Sequence, residues 1–262
     1  MKDKSKQIPG EIALDSQSFK LMRAWEKLLV DRLGEKLPFM YAPLLIAKDE
    51  LERTGYIAHF PQNALKVLSE TKEDNASDRY LTPASCLHIY PEYKDKKLTE
   101  PIHHTVLGRC ARHEAGAYQS PYRLSSFHML EFVSIDTVSN INHINAEAGT
   151  RVSEIFSELG ISASLVAAND PFFAGEDDGA YLLQKIKGLK RELVIHVAGT
   201  EVSLASINNH EQHFTEVYNI KIQNEVAASL CIAFGLERIV LYSKSLWGLE
   251  ESAWPKSLRK YV

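Results

Sequence analysis

The stretch that decides the fold is Val106–Thr137, which reads VLGRCARHEAGAYQSPYRLSSFHMLEFVSIDT. It holds two largely apolar runs, Val106–Glu114 and Ser126–Ser134, and the loop between them is rich in Gly, Ala, Gln, Ser and Pro. Apolar runs bounded by turn-forming residues are typical of strands. We therefore expect an antiparallel hairpin in the middle of the chain.

Side chains along a strand alternate between its two faces. Arg112 and Glu114 therefore fall on one face of the first run, and Phe127 and Glu131 share a face of the second run. The loop between the runs adds a further cation, Arg123. A guanidinium suits phosphate and an aromatic ring suits a base, so this surface is compatible with a nucleotide. A hairpin with an ordinary charged solvent face would show the same Arg-x-Glu pattern, so the hairpin alone leaves both interpretations open.

A second stretch, Cys231–Tyr242, reads CIAFGLERIVLY and predicts a strand, a turn at Gly235 and a helix that carries Arg238 near its start. Together with the hairpin it resembles motifs 2 and 3 of class II aminoacyl-tRNA synthetases. The pieces LTPASCLHIYP, NDPFF, NNHEQHF and CIAFGLER are most similar to amino acid:carrier-protein ligases, which are truncated relatives of the atypical zinc-dependent seryl-tRNA synthetases. The resemblance spans Tyr41 to Pro255 and implies an α+β fold, an antiparallel sheet flanked by helices.

The resemblance implies an ATP site. It assigns Arg112 to the α-phosphate and the substrate carboxylate, Glu114 to the adenine amino group, Phe127 to stacking under adenine, and Arg238 to the γ-phosphate. Arg112 and Arg238 are then the catalytic residues. Further ATP contacts are implied for Arg123, Leu124, Lys190, Ser206 and Asn208, with Glu201 as a ligand of the Mg²⁺ that accompanies ATP.

The resemblance also implies one Zn²⁺ per chain, bound by Cys86, Glu131 and Cys231. Thiolate and carboxylate ligands suit zinc, and three protein ligands leave a fourth position for substrate. Glu131 then belongs to the substrate site as well, because the zinc would hold the neutral α-amine of the amino acid as a Lewis acid. Cys110 has no ligand role and is expected in the core.

The activity implied is formation of an aminoacyl-adenylate from ATP and a small amino acid, with glycine, alanine and serine as candidates. Transfer to the phosphopantetheine thiol of a carrier protein would follow. The net charge of −4 and the lack of residues for an appended tRNA-binding domain favour a carrier over tRNA, because nucleic-acid binding usually requires a basic surface. Aminoacylation of tRNA, as in seryl-tRNA synthetases, remains the alternative.

The composition is that of a soluble globular protein, with 45% apolar and 24% charged residues. The first residues, MKDKSKQIPG, lack the apolar segment of a secretory signal, and no apolar run approaches the roughly 18 residues of a membrane span. Three cysteines cannot all pair. We expect a cytoplasmic protein with no membrane partner.

The rest of the chain predicts one catalytic domain over residues 1–262, with residues 1–36 as an N-terminal helical segment. The segment LGEKLPFMYAPLLIAKDEL resembles a degenerate motif 1, which implies a homodimer. Further predictions follow in chain order: a helix within residues 12–36 that ends near Gly34, a short helix over Leu65–Thr71, a helix that follows Leu81–Tyr90 and runs to about Thr105, a helix over Ile144–Leu159, a strand over Ile161–Val166, a helix over Gly179–Gly188, and strands over Glu192–Ala198, Val202–Asn208, Tyr218–Ile222 and Glu225–Phe234. Lys185 and Lys187 of the helix over Gly179–Gly188 are candidates for docking an acidic carrier.

The segment NHEQH offers a different class of function, a metal-dependent hydrolase. Its histidines, His210 and His213, are three residues apart, whereas the H-E-x-x-H helix needs a spacing of four to direct both at one metal. We therefore favour a structural or substrate-lining role for them. A non-catalytic regulatory subunit is a third possibility, and the intact Arg112 and Arg238 argue against it.

Overall fold

The computed structural model describes residues 10–68, 78–113, 120–168 and 189–262. Its α-helices are α1 Ser16–Leu33, α2 Lys48–Arg53, α3 Tyr56–His59, α4 Ile89–Glu92, α5 Val138–Glu158, α6 His213–Val217, α7 Leu236–Trp247 and α8 Lys256–Arg259, with 3-10 turns at Ser85–His88 and Glu251–Ala253. Its strands are β1 Phe39–Ala42, β2 Leu45–Ala47, β3 Arg79–Leu81, β4 Lys97–Leu98, β5 Ile102–Ala111, β6 Ser126–Asp136, β7 Ser164–Ala168, β8 Lys190–Val197, β9 Thr200–Glu211, β10 Lys221–Ile222, β11 Glu225–Val226 and β12 Ala228–Gly235.

The main sheet has seven strands in the order β1-β5-β6-β12-β9-β8-β7. Every neighbouring pair runs antiparallel except the edge pair β1 and β5, which is parallel. The α+β architecture predicted from the sequence is confirmed, with the correction that the sheet is mixed at one edge. The β5–β6 hairpin predicted from Val106–Thr137 is also confirmed, and it lies between the edge strand and the central strand β12.

Side chains along the central strands point alternately to the two faces of the sheet, and each face packs into its own hydrophobic core. Alternate residues such as Leu130, Phe132, Ile232 and Phe234 face the layer of helices α1, α5 and α7. Their neighbours, including Cys231, face a second apolar cluster on the opposite side of the sheet. The long helices α1, α5 and α7 therefore cover one face of the sheet, and shorter helices pack on the opposite face.

Helix α1 shows how sequence fixes the covered face. Asp15 caps the helix, because its carboxylate accepts a hydrogen bond from the main-chain N–H of Ser18 at 2.7 Å. Trp25 lies fully buried, stacks on Phe156 at 5.2 Å, and donates through Nε1 to the Ser243 hydroxyl of α7 at 3.0 Å. The helix predicted over residues 12–36 is confirmed over the narrower range Ser16–Leu33.

Two predicted helices are wrong. The described part of Leu65–Thr71 is extended: Lys66 bridges to Tyr80, and the Leu81 N–H donates to the Leu65 carbonyl. Helix also does not continue to Thr105, since α4 ends at Glu92 and β5 already begins at Ile102. In both places pairing with a distant strand overrides the local helical preference, because a strand partner satisfies the same backbone groups.

The segment before β12 also differs from the prediction. Strand pairing over Tyr218–Ile222 is limited to Lys221–Ile222, and Glu225–Phe234 divides into β11 and β12. The helix predicted over Gly179–Gly188, with Lys185 and Lys187, lies outside the described residues. Among the helices described, none has both the length and the apolar character needed to cross a bilayer.

Candidate active site

A cavity of about 350 Å³ lies on the face of the sheet opposite the helical layer. Its walls come from β6, β8, β9, β12, the first turn of α7, the 3-10 turn at Ser85–His88 and the segment that follows β5, including Arg112. Most of the residues predicted for the site line it, namely Cys86, Arg112, Arg123, Leu124, Phe127, Glu131, Lys190, Ser206, Asn208, Cys231 and Arg238. Residues far apart in the sequence are thus gathered in a single cavity.

The pairing of β5 with β6 positions the Arg112 guanidinium beside the Phe127 ring. Cys110 is opposite Phe127, so Arg112 follows directly past the end of the paired strand on the same face. The Arg112 guanidinium carbon lies 5.5 Å from the centre of the Phe127 ring, and Nε donates to the Pro83 carbonyl at 2.7 Å. This cation–π contact and hydrogen bond hold the guanidinium over the cavity. Glu114 lies outside the described residues.

Arg238 approaches from the other side of the cavity. It lies in the first turn of α7, immediately after Gly235 ends the central strand. Its Nε donates to the Tyr122 carbonyl at 3.1 Å and its Nη1 to the Ser203 carbonyl at 2.7 Å. One guanidinium therefore joins the β5–β6 loop, the strand β9 and the helix α7.

Cys86, Glu131 and Cys231 form a buried cluster whose ligand atoms all lie within 4.8 Å of one another. Glu131 is 1% exposed, and Oε1 accepts hydrogen bonds from the main-chain N–H groups of Ser85 at 2.7 Å and Cys86 at 3.1 Å. The Cys231 thiol donates to Oε2 at 2.9 Å. No other group of three metal-ligating side chains occurs within the described ranges.

Both thiols of this cluster are held protonated when no metal is bound. For Cys86, the hydrogen bond with Cys231 lowers the pKa, but burial and the Glu131 carboxylate outweigh it and raise the pKa to about 11. For Cys231, burial is the largest cause, and the Cys86 thiol and Glu131 add to it, so its pKa is raised well above the ordinary value. A divalent cation would relieve this cost, because it stabilises thiolates and balances the carboxylate. The donor set therefore fits a thiophilic cation such as Zn²⁺.

Close backbone packing brings the Cys86 turn onto the sheet. A Cβ on Gly108 of β5 would meet the Ser85 hydroxyl at 2.6 Å and the Ala42 Cβ at 2.9 Å, so a side chain there would push the turn away. The Ser85 hydroxyl also contacts the Cys110 thiol at 3.2 Å. Cys110 is fully buried, as expected for a core residue, and is not part of the metal-ligating group.

The β8–β9 pair supplies the polar wall of the cavity. Lys190 is opposite Asn208, and Glu192 is opposite Ser206. The Lys190 ammonium lies 3.4 Å from the Glu192 carboxylate, and the Asn208 amide donates to the Ser206 hydroxyl at 3.1 Å. The sequence analysis missed Glu192, although alternation from Lys190 places both side chains on one face.

Glu201 is the one described residue of the predicted site that does not line the cavity. It is exposed at the β8–β9 turn and lies 3.4 Å from the His196 ring. The assignment of Glu201 as a Mg²⁺ ligand is therefore corrected. The cause is its position along β9: it pairs with His196 next to the hairpin turn, beyond Ser203–His210, the part of the strand that lines the cavity.

Comparison with known proteins decides the family. The sequence profile of the tRNA synthetase class II core domain (G, H, P, S and T) matches residues 69–244. The chain belongs to this family. Among its relatives, amino acid--[acyl-carrier-protein] ligase 1 of Bradyrhizobium diazoefficiens is 29% identical over 243 residues, covering 83% of this chain and 74% of the relative. Ligase 2 of the same organism is 28% identical, covering 84% and 73%.

More distant class II relatives include the type-2 serine--tRNA ligase of Methanopyrus kandleri, 24% identical over 75% of this chain and 40% of the relative. The solved M. kandleri SerRS in complex with A. aeolicus tRNASec has a TM-score of 0.83 at 18% identity and covers 98% of this chain. The chain spans 57% of that structure's length. The curated relatives are named ligases, and this class II core is accordingly an enzyme of the ligase type.

The class II assignment removes the hydrolase alternative, and the geometry agrees. The His210 Nδ1 contacts the Tyr90 hydroxyl at 3.1 Å, whereas the His213 ring contacts the Thr54 carbonyl at 3.0 Å. The two histidines thus serve different partners. His210 lines the cavity, as the sequence analysis favoured, together with Phe60, whose contribution no sequence signal indicated.

Proposed function

We propose that this protein activates a small amino acid with ATP as an aminoacyl-adenylate and transfers the aminoacyl group to the phosphopantetheine thiol of a carrier protein. The observation that carries the proposal is the single cavity in which Arg112, Phe127 and Arg238 converge beside the buried group of Cys86, Glu131 and Cys231. The names of the two Bradyrhizobium ligases support the choice of substrate and acceptor.

In the first step, a carboxylate oxygen of the amino acid attacks the α-phosphorus of ATP. A phosphorus–oxygen bond forms, the bond to the β-phosphate oxygen breaks, and pyrophosphate leaves. Phe127 provides the face on which adenine stacks, and Arg112 offers its guanidinium to the α-phosphate and the carboxylate. Arg238 binds the γ-phosphate. Catalysis then consists of positioning and charge neutralisation, with no protein nucleophile.

Two metal ions belong to the proposal. One Zn²⁺ would be held by Cys86, Glu131 and Cys231, and would supply Lewis acidity toward the neutral α-amine of the substrate. Mg²⁺ would accompany ATP and neutralise charge on the phosphates. The chain's own contribution is to bury the Glu131 carboxylate and fix it with two main-chain N–H groups. If the α-amine of the substrate amino acid lies near this cluster, the carboxylate of the same substrate is free to reach Arg112.

In the second step, the thiol sulfur of the carrier attacks the adenylate carbonyl. A carbon–sulfur bond forms, the bond to the phosphate oxygen breaks, and AMP leaves. We favour a carrier over tRNA because the most similar relatives named here are carrier-protein ligases and the net charge is −4. Carrier proteins are small and acidic, so docking would need only a modest cationic surface. Lys185 and Lys187 remain candidates for that surface.

The experiment that tests the acceptor offers both kinds to one enzyme. Purified protein is incubated with ATP and labelled amino acid, together with phosphopantetheinylated acyl carrier protein and total tRNA. We expect label on the carrier. The matched control is the same carrier without its phosphopantetheine arm, which has no thiol and should stay unlabelled. Label on tRNA alone would show that the protein is a tRNA ligase.

We also propose a homodimer formed at the β1 edge of the sheet. Phe39 and Tyr41 are 51% and 66% exposed on this edge strand, with Leu44 and Leu45 beside them. Large exposed apolar groups on an unpaired edge favour association with another chain. Light scattering should give the mass of two chains for the wild type and of one chain for Tyr41→Asp. Leu246→Asp, at an exposed leucine of α7, is the matched control and should stay dimeric.

A further inference from the structure

His210 is a buried residue of the cavity to which the ATP chemistry gives no role. It lies near the end of β9, two residues beyond Asn208, which pairs with Cys231 of the proposed zinc cluster. The side chain lines the same cavity as Cys86 and Cys231, and the residue is 6% exposed. It therefore lies at the end of the cavity where the amine of the substrate would bind.

The imidazole is held in a fixed orientation. The Phe214 ring lies against it with a centroid distance of 4.7 Å and an angle of 73° between the planes. On its Nδ1 edge, the Tyr90 hydroxyl lies at 3.1 Å. The Tyr90 hydroxyl in turn donates to the Ser229 hydroxyl at 3.2 Å. Phe214 and Tyr90 therefore determine how the ring lies, and Ser229 in turn orients Tyr90.

This arrangement determines which ring nitrogen carries the proton. A tyrosine hydroxyl has one hydrogen, and that of Tyr90 is directed at Ser229. With the Tyr90 hydrogen directed at Ser229, Nδ1 of His210 donates to the Tyr90 oxygen and Nε2 carries the lone pair. Burial is the main cause that lowers the pKa of His210 to about 3, so the ring is neutral at physiological pH.

Nε2 is left as an acceptor open to the cavity. It makes no hydrogen bond within the described residues, and it is not among the polar atoms sealed from solvent without a partner. Because the ring lines the cavity, this nitrogen can accept a hydrogen bond from a bound molecule. A ligand that offered only apolar groups here would leave a desolvated acceptor unpaired, which costs binding.

We propose that His210 is a specificity-determining residue, which accepts a hydrogen bond at Nε2 from a hydroxyl on the side chain of the substrate amino acid. The inference rests on the proposed function, and it selects serine from among glycine, alanine and serine. A cationic side chain is disfavoured, because the ammonium of Lys190 is close enough to influence His210. A hydroxyl is a neutral donor short enough to stay within the cavity.

The test compares amino acids in ATP–pyrophosphate exchange. For the zinc-loaded wild type we expect kcat/KM for serine to exceed that for alanine by at least about tenfold, since a site built around a substrate hydroxyl discriminates strongly against its absence. In His210→Phe, which keeps a ring but removes the acceptor, the ratio should fall to about one while alanine activity persists. His210→Gln, which restores an acceptor, should recover part of the preference.

A second measurement needs no variant. Calorimetry on the wild type should show tighter binding of a non-hydrolysable seryl-adenylate analogue than of the alanyl analogue. Equal affinity, or alanine exchange equal to serine exchange in the wild type, would overturn the role of His210 and leave the proposed function intact. If none of the amino acids supports ATP–pyrophosphate exchange, the proposed function and this inference are overturned together.

Discussion

The carboxylate of Glu237 binds His128 with both of its oxygens. Oε2 accepts the main-chain N–H of His128 at 2.6 Å, and Oε1 lies 2.6 Å from Nδ1 of the ring. Glu237 is 5% exposed and immediately precedes Arg238, while His128 immediately follows Phe127. This partly buried pair thus fixes helix α7 to strand β6 and sets the separation between the two proposed ATP contacts, Phe127 and Arg238.

Loss of this pair should weaken ATP binding more than it weakens the chemical step. Glu237→Ala removes two hydrogen bonds to a carboxylate and leaves a partly buried main-chain N–H without its acceptor, and should lower the free energy of unfolding by about 1–3 kcal/mol. We expect KM for ATP to rise severalfold with a smaller change in kcat, and Glu237→Gln to recover part of the loss. Glu158→Ala, at an exposed glutamate paired with Arg32, is the control and should leave KM unchanged. An unchanged KM in Glu237→Ala would contradict the positioning role.

Arg112 should be required for adenylate formation, and its neighbour Arg109 should not. Arg112→Ala removes a cation proposed to neutralise the α-phosphate, so kcat for ATP–pyrophosphate exchange should fall by about 10²–10³, as for loss of an oxyanion-stabilising donor. Arg109 lies on the same strand, but its exposed side chain points to the other face and contacts Ser126. Arg109→Ala should keep nearly full activity. Equal losses in the two variants would point to a general structural effect.

Zinc content should depend on two of the three cysteines. Cys86→Ser and Cys231→Ser should each lower bound zinc well below one ion per chain, because each removes a thiolate from the cluster. Cys110→Ser is the matched control, since Cys110 is equally buried but lies outside the cluster, and its zinc content should match the wild type. Elemental analysis after dialysis gives the stoichiometry. Undiminished zinc in both ligand variants would place the metal elsewhere.

The sequence was sufficient for those parts of the site that depend on alternation along a strand. The face shared by Phe127 and Glu131 follows from the two-residue period, and the structure has that face toward the cavity. The grouping of Cys86, Glu131 and Cys231, separated by 45 and 100 residues, needed the family resemblance because no local spacing indicates it.

Other parts of the structure depend on tertiary pairing that no single sequence reveals. The extended segment at Lys66 exists because Tyr80 pairs with it, and Glu201 lies beyond the cavity because it pairs with His196 next to the hairpin turn. Glu192 was overlooked because the predicted strand began at Glu192 and left Lys190 outside it, whereas β8 includes both residues. The roles of individual ATP contacts and the single-domain organisation stay predictions.

Acid should remove a stabilising contribution of His210. Its pKa is lowered from the ordinary value of 6.5 to about 3 by burial, with His213 and Lys190 adding to the effect. A lowered pKa contributes stability that is present above pH 6.5 and is lost as pH falls toward 3. The advantage in unfolding free energy of the wild type over His210→Phe should therefore shrink between pH 7 and pH 4, as measured by urea unfolding at each pH. A constant difference would show that folding does not lower the pKa of His210.

The central claim is tested most directly by ATP–pyrophosphate exchange with each common amino acid, using zinc-loaded protein and no acceptor. The account predicts exchange that depends on a small amino acid, is strongest with serine, and is lost in Arg112→Ala and Arg238→Ala. Absence of amino-acid-dependent exchange in the folded, zinc-loaded wild type would contradict it.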